Sequence, residues 1–219
     1  MMSFNKVTAV VLSGGGSTRM GRNKALLKLG NKTMIERVVN PLQRIFDDIL
    51  VVTNEPESYH MLEGIKFTPD CVDIGKKSSL IGLYSGLKRS ENPHIFAIGC
   101  DMPFVNIELI RYMVNSLKNG DSNGDTLVPF VDTDLVEHII ELSKDKNSAV
   151  LSANRHYQPL HAIYSKSCIP KIEGMLEEGN YKVTNIFRIT NTKKIFENDI
   201  IRFDPNMLCF KNVNTYEEY

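Results

Sequence analysis

The sequence predicts a single-domain α/β protein with a doubly wound, mostly parallel sheet and a less regular second half. A chain of 219 residues, 42% of them hydrophobic, is long enough to bury one sizeable core. In residues 1–104, short apolar or β-branched runs alternate with segments whose apolar residues recur at helical spacing. Such a sheet binds ligands beyond the carboxyl ends of its strands, so functional residues are expected in the strand-to-helix turns.

The order of the elements follows from these patterns. Strands are expected at short apolar runs, in residues 7–12, 49–53, 66–68 and 95–98. Helices are expected where apolar residues have helical spacing, in residues 33–46, 59–62, 80–87 and 107–117. Asn106 is placed to cap the last of these helices, and Gly82 and Gly86 are expected to allow close packing. In the second half we expect strands at residues 126–131 and 149–152 around a helix at residues 135–142.

Composition excludes several classes of partner and site. Lysine plus arginine equals aspartate plus glutamate at 26 each, so no nucleic acid or anionic membrane is expected as a partner. The four cysteines form no C-x-x-C pair and the five histidines have no metal-ligand spacing, which favours free thiols and disfavours a zinc site. No signal segment or membrane-length apolar run is present, which favours a soluble cytoplasmic protein.

A glycine-rich segment directly after the first predicted strand carries the strongest functional signal. Residues 13–24 contain Gly14, Gly15 and Gly16 together with two cations, Arg19 and Lys24. Glycines allow backbone N–H groups to line a concavity that accepts phosphate, and the cations supply opposite charge. The segment therefore predicts a phosphate-binding turn, and a plain glycine turn with two surface cations is the alternative.

Two better-known phosphate loops do not fit this segment. A dinucleotide-binding G-x-G-x-x-G motif counted from Gly14 would need glycine where Arg19 stands. A Walker motif spanning Gly16 and Gly21 would need lysine and a hydroxyl residue where Arg22 and Asn23 stand. Neither an NAD site nor a P-loop is expected.

A second signal is the acidic residue that ends a later strand. The apolar run of residues 95–98 continues through Gly99 and Cys100 into Asp101, and Pro103 stops the strand. Asp101 should therefore point into the ligand crevice. Mg²⁺ needs only one or two protein carboxylates when water and substrate phosphates supply its other ligands. The alternative for Asp101 is a turn or cap residue.

These motifs resemble those of the molybdenum cofactor guanylyltransferases. The similarity is to the signature L-x-G-G-x-S-x-R-M-G-x-x-K, here Leu12-Ser13-Gly14-Gly15, Ser17, Arg19-Met20-Gly21 and Lys24. It extends to a C-D-x-P stretch, here residues 100–103, to Q-P-L-x-A-x-Y, here residues 158–164, and to N-V-N-T, here residues 212–215. The resemblance implies a Rossmann-like nucleotidyltransferase fold.

The resemblance also implies roles for individual residues. The catalytic set would be Arg19, Lys24 and Asp101, with Asp101 holding Mg²⁺. The nucleotide-binding set would be Leu12, Ser13, Gly14, Gly15, Lys24, Asp70 and Asp101. The acceptor would contact Asn212 and Asn214, which face the same side of an extended segment. Ordinary turn or cap roles are the alternatives for Asp70 and for the two asparagines.

Related sugar-phosphate nucleotidyltransferases usually place proline before the lysine, where Asn23 stands, so the signature favours the cofactor branch. The sequence departs from the pattern of that branch in three places. The family's G-P-L-x-G is replaced by residues 78–82, which begin with two serines. Residues 132–147 look inserted, and the chain given ends at Tyr219 where the family continues into a helix.

The implied reaction is transfer of GMP from GTP to the terminal phosphate of Mo-molybdopterin, with release of pyrophosphate. Residues 1–104 would form the nucleotide-binding half and residues 105–219 the acceptor-binding half of a single domain, residues 1–219. Transient contact with molybdoenzyme maturation proteins is also implied. The alternatives are transfer from CTP, transfer to a sugar or polyol phosphate, and a nucleotide-binding protein without catalysis.

Overall fold

The computed structural model describes residues 6–14, 23–72, 75, 78–118, 124–131 and 156–213. The helix expected at residues 135–142 and the strand expected at residues 149–152 lie outside these ranges, as do the predicted site residues Gly15, Arg19 and Asn214.

One mixed sheet organises the described chain. Its strands are β1 (Val7–Leu12), β4 (Ile49–Val52), β5 (Lys66–Thr68), β6 (His94–Gly99), β7 (Thr126–Val131), β8 (His156–Tyr157), β9 (His161–Ser165) and β10 (Thr192–Phe196). They lie in the order β10-β7-β9-β6-β1-β4-β5, with β8 paired to β7. Strands β6, β1, β4 and β5 are parallel, β9 is antiparallel to its neighbours, and β10 is parallel to β7. The prediction of a mostly parallel sheet is confirmed.

Helices cover both faces of this sheet. They are α1 (Met34–Leu42), α2 (Ser79–Arg89), α3 (Ile107–Lys118), α4 (Ile169–Glu177) and α5 (Glu197–Ile200), and a small ribbon of β2 (Lys28–Leu29) and β3 (Lys32–Thr33) precedes α1. Apolar residues alternate along β1, so that Val11 packs with α1 and α3 while Val10 packs with α2 and α4. The period of two along a buried strand thus produces two separate cores.

Helix α2 approaches β1 closely because of its glycines, as expected. A Cβ atom on Gly86 would lie 2.6 Å from Val10 Cγ1, and one on Gly82 would lie 3.4 Å from Leu12 Cδ2. Real Cβ atoms do not approach to 2.6 Å, so Gly86 sets the distance between this helix and the sheet.

Several predicted boundaries need correction. Helix α1 begins after Thr33, whose side chain forms a capping box with Glu36, but it ends at Leu42 and not at residue 46. Ile45 and Phe46 remain buried in the following turn, so their apolar spacing indicated burial and not helix. The helix expected at residues 59–62 is instead a 3-10 helix at Pro56–Tyr59.

The later elements were predicted with mixed success. Helix α3 is confirmed, and its cap is too, since Asn106 Oδ1 accepts a hydrogen bond from Leu109 N–H at 2.9 Å. Strand β9 begins at His161, so only part of the segment 158–164 is extended. Helices α4 and α5 and strand β10 were not predicted from the sequence. Within the described ranges, no helix has the length and apolar character needed to cross a membrane.

Candidate active site

Two neighbouring parallel strands end side by side at one edge of the sheet. Strands β1 and β6 are in register, with Leu12 opposite Gly99. Beyond them, Cys100 N–H donates to the Leu12 carbonyl at 3.1 Å, and Ser13 N–H donates to the Val52 carbonyl of β4 at 3.0 Å. The chain segments that leave these strands, and with them Ser13 and Asp101, therefore start from the same edge.

Asp101 folds back over the last residue of its own strand. A Cβ atom on Gly99 would lie 2.5 Å from Asp101 Oδ1, so the absence of a side chain at Gly99 makes room for the carboxylate. Burial raises the pKa of Asp101 above its usual value, and a hydrogen bond from its own backbone and then the positive charge of Lys24 offset part of this effect. Lys24 therefore contributes positive potential at the carboxylate with which it is predicted to act.

The position of Lys24 is set by a short, capped helix. Lys24 begins the 3-10 helix Lys24–Leu26, whose N-cap is Asn23. The Asn23 Oδ1 atom accepts a hydrogen bond from Ala25 N–H at 3.1 Å, and Ala25 is buried in the core. A side-chain cap supplies the local order at the position where related loops carry a proline.

Asp70 lies between the glycine-rich segment and α2. A Cβ atom on Gly14 would lie 3.8 Å from Asp70 Oδ2, and one on Gly82 would lie 3.9 Å from Asp70 Oδ1. Asn54 holds Asp70 in place, because its Nδ2 atom donates to Asp70 Oδ2 at 3.0 Å and its Oδ1 atom accepts from Asp70 N–H at 2.9 Å. Asp70 therefore faces the same edge of the sheet as Gly14, which a surface turn would not require.

The C-terminal segment approaches Asp101 through its backbone. Val213 N–H donates to the Asp101 carbonyl at 2.8 Å, and Val213 is buried while Asn212 is exposed. Asn212 is therefore one residue away from a direct contact with the Asp101 main chain.

The cysteines and the buried histidine of this region are not suited to covalent or acid–base catalysis. Burial, followed by the charge of Asp101, raises the pKa of Cys100 to about 12, so its thiol stays protonated near neutral pH. All four cysteines are free, as predicted. His161 is fully buried at right angles to the rings of Phe96 and Phe210, with centroid distances of 5.1 and 5.2 Å. Burial lowers the pKa of His161 to about 3, and neither ring nitrogen has a hydrogen-bond partner among the described residues.

The Asp101 carboxylate is the predicted metal ligand of this site. Within the part of the chain that the structure describes, no three His, Cys, Asp or Glu side chains gather into a site for a metal ion. Asp101 is a single carboxylate whose ionised form is disfavoured by burial, and a cation beside it would stabilise that form. Such a donor set fits Mg²⁺, which keeps most of its ligands from water and phosphate oxygens.

Comparison with known proteins assigns this arrangement to a family. Residues 9–128, which include most of β1 together with Lys24, Asp70 and Asp101, match the model of the MobA-like NTP transferase domain. The chain belongs to the MobA-like NTP transferase family. It is therefore a nucleotidyltransferase, as the glycine-rich segment and the C-D-x-P stretch indicated.

The MobA-like assignment holds over nearly the whole chain. The chain is 31% identical over 215 residues to a probable molybdenum cofactor guanylyltransferase of Natranaerobius thermophilus, which covers 98% of this chain and 93% of the relative. It is 33% identical over 211 residues to a probable molybdenum cofactor guanylyltransferase of Peptoclostridium acidaminophilum, with 96% and 86% covered. Molybdopterin-guanine dinucleotide biosynthesis protein A of Archaeoglobus fulgidus has the same fold, with a TM-score of 0.71, 21% identity, and 96% and 94% of the two chains covered.

The structure brings most of the predicted site residues of this MobA-like chain to one edge of the sheet. They are Leu12, Ser13, Gly14, Lys24, Asp70 and Asp101. Asn54 was not predicted from the sequence, although it follows the end of β4 and the strand-end rule that identified Asp101 applies to it. The capping role of Asn23 and the hydroxyl of Tyr59, which lies 2.7 Å from Ser13 Oγ, were not predicted either.

Proposed function

We propose that the protein is a molybdenum cofactor guanylyltransferase, which transfers GMP from GTP to the terminal phosphate of Mo-molybdopterin and releases pyrophosphate. The observation that carries this proposal is the placement of Ser13, Gly14, Asp70 and Asp101 at one edge of the sheet, beside the carboxyl ends of β1 and β6. The choice of GTP and molybdopterin is supported by relatives at about 30% identity that are named as guanylyltransferases of this cofactor.

The nucleotide would lie along the glycine-rich turn after β1. Leu12, Ser13, Gly14 and Gly15 would provide its floor, with Asp70 at one side. The Ser13 N–H already donates to the Val52 carbonyl, so Ser13 would contact the nucleotide through its hydroxyl and not through its amide. Arg19 and Lys24 would neutralise the triphosphate, as expected of cations in a phosphate-binding turn.

The reaction needs little acid–base chemistry from the protein. The nucleophile is a phosphate monoester with a second pKa of about 6, so it arrives ionised at neutral pH. The enzyme's task is then to align this oxygen with the α-phosphorus and to counter the charge that develops on the leaving pyrophosphate. Lys24 and Arg19 would provide this countercharge, and Asp101 would hold Mg²⁺. The bound ion would neutralise phosphate oxygens and orient them.

The acceptor would enter from the second half of the chain. Asn212 and Asn214 offer amide donors and acceptors that suit a polar heterocycle. The hydrogen bond from Val213 to the Asp101 carbonyl supports an acceptor site next to the metal-binding residue. In this proposal residues 1–219 form one domain, in which residues 1–104 bind the nucleotide and residues 105–219 bind the acceptor. Contact with molybdoenzyme maturation proteins and a cytoplasmic location stay predictions from the sequence.

The test is product analysis with each nucleotide and acceptor. The protein is incubated with Mg²⁺, one of the four NTPs, and either Mo-molybdopterin or a sugar phosphate, while pyrophosphate release and product mass are followed. We expect pyrophosphate and a guanylylated pterin with GTP and Mo-molybdopterin, and neither in the Asp101→Asn variant. A cytidylylated pterin would show that the donor is CTP and not GTP. Nucleotide binding without pyrophosphate release would contradict the proposed guanylyl transfer.

A further inference from the structure

The hydroxyl of Tyr59 connects the two described ends of the glycine-rich segment. Its Oη atom lies 2.7 Å from Ser13 Oγ, at the end of β1, and 2.9 Å from Asn23 Nδ2, at the start of the helix that carries Lys24. Ser13 and Asn23 are ten positions apart in sequence, and Tyr59 comes from a third segment, the 3-10 helix Pro56–Tyr59. One side chain from elsewhere therefore spans the entry and the exit of this segment.

The core holds Tyr59 firmly in this position. Its side chain is fully buried in the same apolar cluster as Val11 and Ile98, and its ring stacks on Phe67 with a centroid distance of 6.2 Å. A ring fixed on all sides by packing has one orientation, so its hydroxyl is a fixed point for the two polar partners.

The partners of Asn23 fix the direction of one of the two hydrogen bonds. Asn23 Oδ1 accepts from Ala25 N–H, so its Nδ2 group faces Tyr59 and donates to Oη. The second hydrogen bond joins two hydroxyl groups, and either Tyr59 Oη or Ser13 Oγ can be its donor. In both cases the Tyr59 hydroxyl connects Ser13 to the Asn23 cap.

We propose that Tyr59 is a positioning residue for the nucleotidyl transfer reaction. Its hydroxyl orients the Asn23 cap, and through that cap the ammonium group of Lys24, relative to Ser13 at the end of β1. The inference rests on the proposed function in assigning Lys24 and Ser13 to the GTP site. Because misplacement of a charged group by about 1 Å can reduce the rate by about 10²-fold, loss of this contact should reduce catalysis without removing a group that touches substrate.

The test compares two tyrosine-to-phenylalanine variants. Tyr59→Phe removes the Oη atom and keeps the buried ring. Tyr84→Phe is the control, because the Tyr84 ring is buried on the other face of the sheet and its hydroxyl donates to Glu173 at 2.5 Å, near the surface. For both variants, kcat, the KM for GTP and the KM for the acceptor are measured. Amide hydrogen exchange is followed at Leu26 and Leu27, whose N–H groups donate to the Asn23 and Lys24 carbonyls.

We expect Tyr59→Phe to lower kcat/KM for GTP by about 10- to 30-fold, with the acceptor KM unchanged and faster exchange at Leu26 and Leu27. Tyr84→Phe should match the wild type in all of these measurements. Because the Asn23→Ala variant already loses the connection, adding Tyr59→Phe to it should cause little further loss.

Two results would overturn the inference. One is wild-type kinetics and exchange in Tyr59→Phe. The other is a rise in both KM values with faster exchange throughout the chain, which would indicate a general loss of stability. The exchange measurement needs no substrate, so it tests whether Tyr59 holds the Asn23 cap even if the wild-type protein releases no pyrophosphate. Absence of pyrophosphate release from the wild type would contradict the proposed function, and unchanged exchange in Tyr59→Phe would contradict the contact on which this inference depends.

Discussion

The two ends of strand β1 use polar residues in opposite ways. At its beginning, Thr8 Oγ1 donates to Asp48 Oδ2 at 2.6 Å and lies 2.6 Å from Ser90 Oγ. Asn92 Nδ2 donates to Thr8 Oγ1 at 3.1 Å, and Lys66 Nζ lies 2.9 Å from Asp48 Oδ1. At its end, Ser13 Oγ lies 2.7 Å from Tyr59 Oη, and the neighbouring Asp101 carboxylate lies over Gly99. The first group is a closed network, whereas the second faces the proposed ligand crevice.

The two carboxylates record this difference. Burial raises the pKa of Asp48, but the hydrogen bond from Thr8 and the contact with Lys66 outweigh it, so the pKa falls below its usual value. For Asp101 burial prevails, and the pKa rises although Lys24 is close. The ionised form of Asp48 is thus stabilised by the protein itself, as expected of a structural acid. The ionised form of Asp101 is disfavoured, so a cation brought by a ligand would stabilise it.

The largest expected effect is on catalysis at the open end. Asp101→Asn should lower turnover by about 10³-fold, because the proposed metal ligand loses its charge while the shape of the site is kept. Steady-state pyrophosphate release measures this effect. Asp48→Asn is the matched variant at the closed end, and it should retain wild-type turnover. Equal losses of turnover in the two variants would mean that the comparison between the two ends is wrong.

A smaller loss is expected when the cation of the open end is removed. Lys24→Ala should cost about 2 to 4 kcal/mol of transition-state stabilisation, seen in kcat/KM for GTP, because the triphosphate loses a countercharge. Lys66→Ala at the closed end is the control, since Lys66 is an exposed lysine that pairs with the structural acid Asp48. A Lys24→Ala enzyme with normal kcat/KM would remove Lys24 from the mechanism.

Stability should show the reverse pattern. Asp48→Asn should lower the free energy of unfolding by about 1 to 3 kcal/mol near pH 7, because a hydrogen-bonded charge is lost. The pKa of Asp48 is lower in the folded state, so its contribution is present above the unfolded value of about 3.9 and is lost as the pH falls through the folded value. Denaturant unfolding between pH 7 and pH 3 should therefore show the difference between Asp48→Asn and wild type shrinking towards the acid end.

For Asp101 the sign is opposite. Its pKa is raised in the folded state, so the ionised acid disfavours folding at neutral pH, and this cost disappears as the pH falls below the unfolded value. Asp101→Asn should thus be at least as stable as the wild type at pH 7. A clear loss of stability in this variant would show that Asp101 belongs to a structural network.

The smallest expected effect is on the acceptor side. Asn212→Ala should raise the acceptor KM by a few fold, equivalent to about 1 kcal/mol for one lost hydrogen bond, and leave the KM for GTP unchanged. Asn198→Ala, at an exposed asparagine in α5, is the control. An unchanged acceptor KM in Asn212→Ala would show that Asn212 does not contribute to acceptor binding.

The sequence was sufficient where function depends on local rules. Strand β1, the glycines after it and Asp101 were predicted because a buried parallel strand and the turn beyond it leave a contiguous pattern. The family resemblance then supplied the chemistry, which the comparisons confirm at the level of a nucleotidyltransferase.

Other features depend on contacts that a linear pattern does not carry. The partners of Tyr59 and Asp70 come from segments 16 to 46 positions away, and neither pairing has a spacing rule. Strand β10 lies at the edge of the sheet and carries two lysines among five residues, so it lacks the apolar run that marked the central strands. The helix predicted for α1 was too long because buried residues in the following turn continue its apolar spacing.

The most direct test of the central claim is a crystal structure of the protein with GTP and Mn²⁺, in which anomalous scattering locates the metal. We expect Mn²⁺ bound to the Asp101 carboxylate and to triphosphate oxygens, with Lys24 Nζ within contact distance of the same phosphates. A metal and triphosphate bound away from Asp101 and Lys24 would contradict the proposed active site.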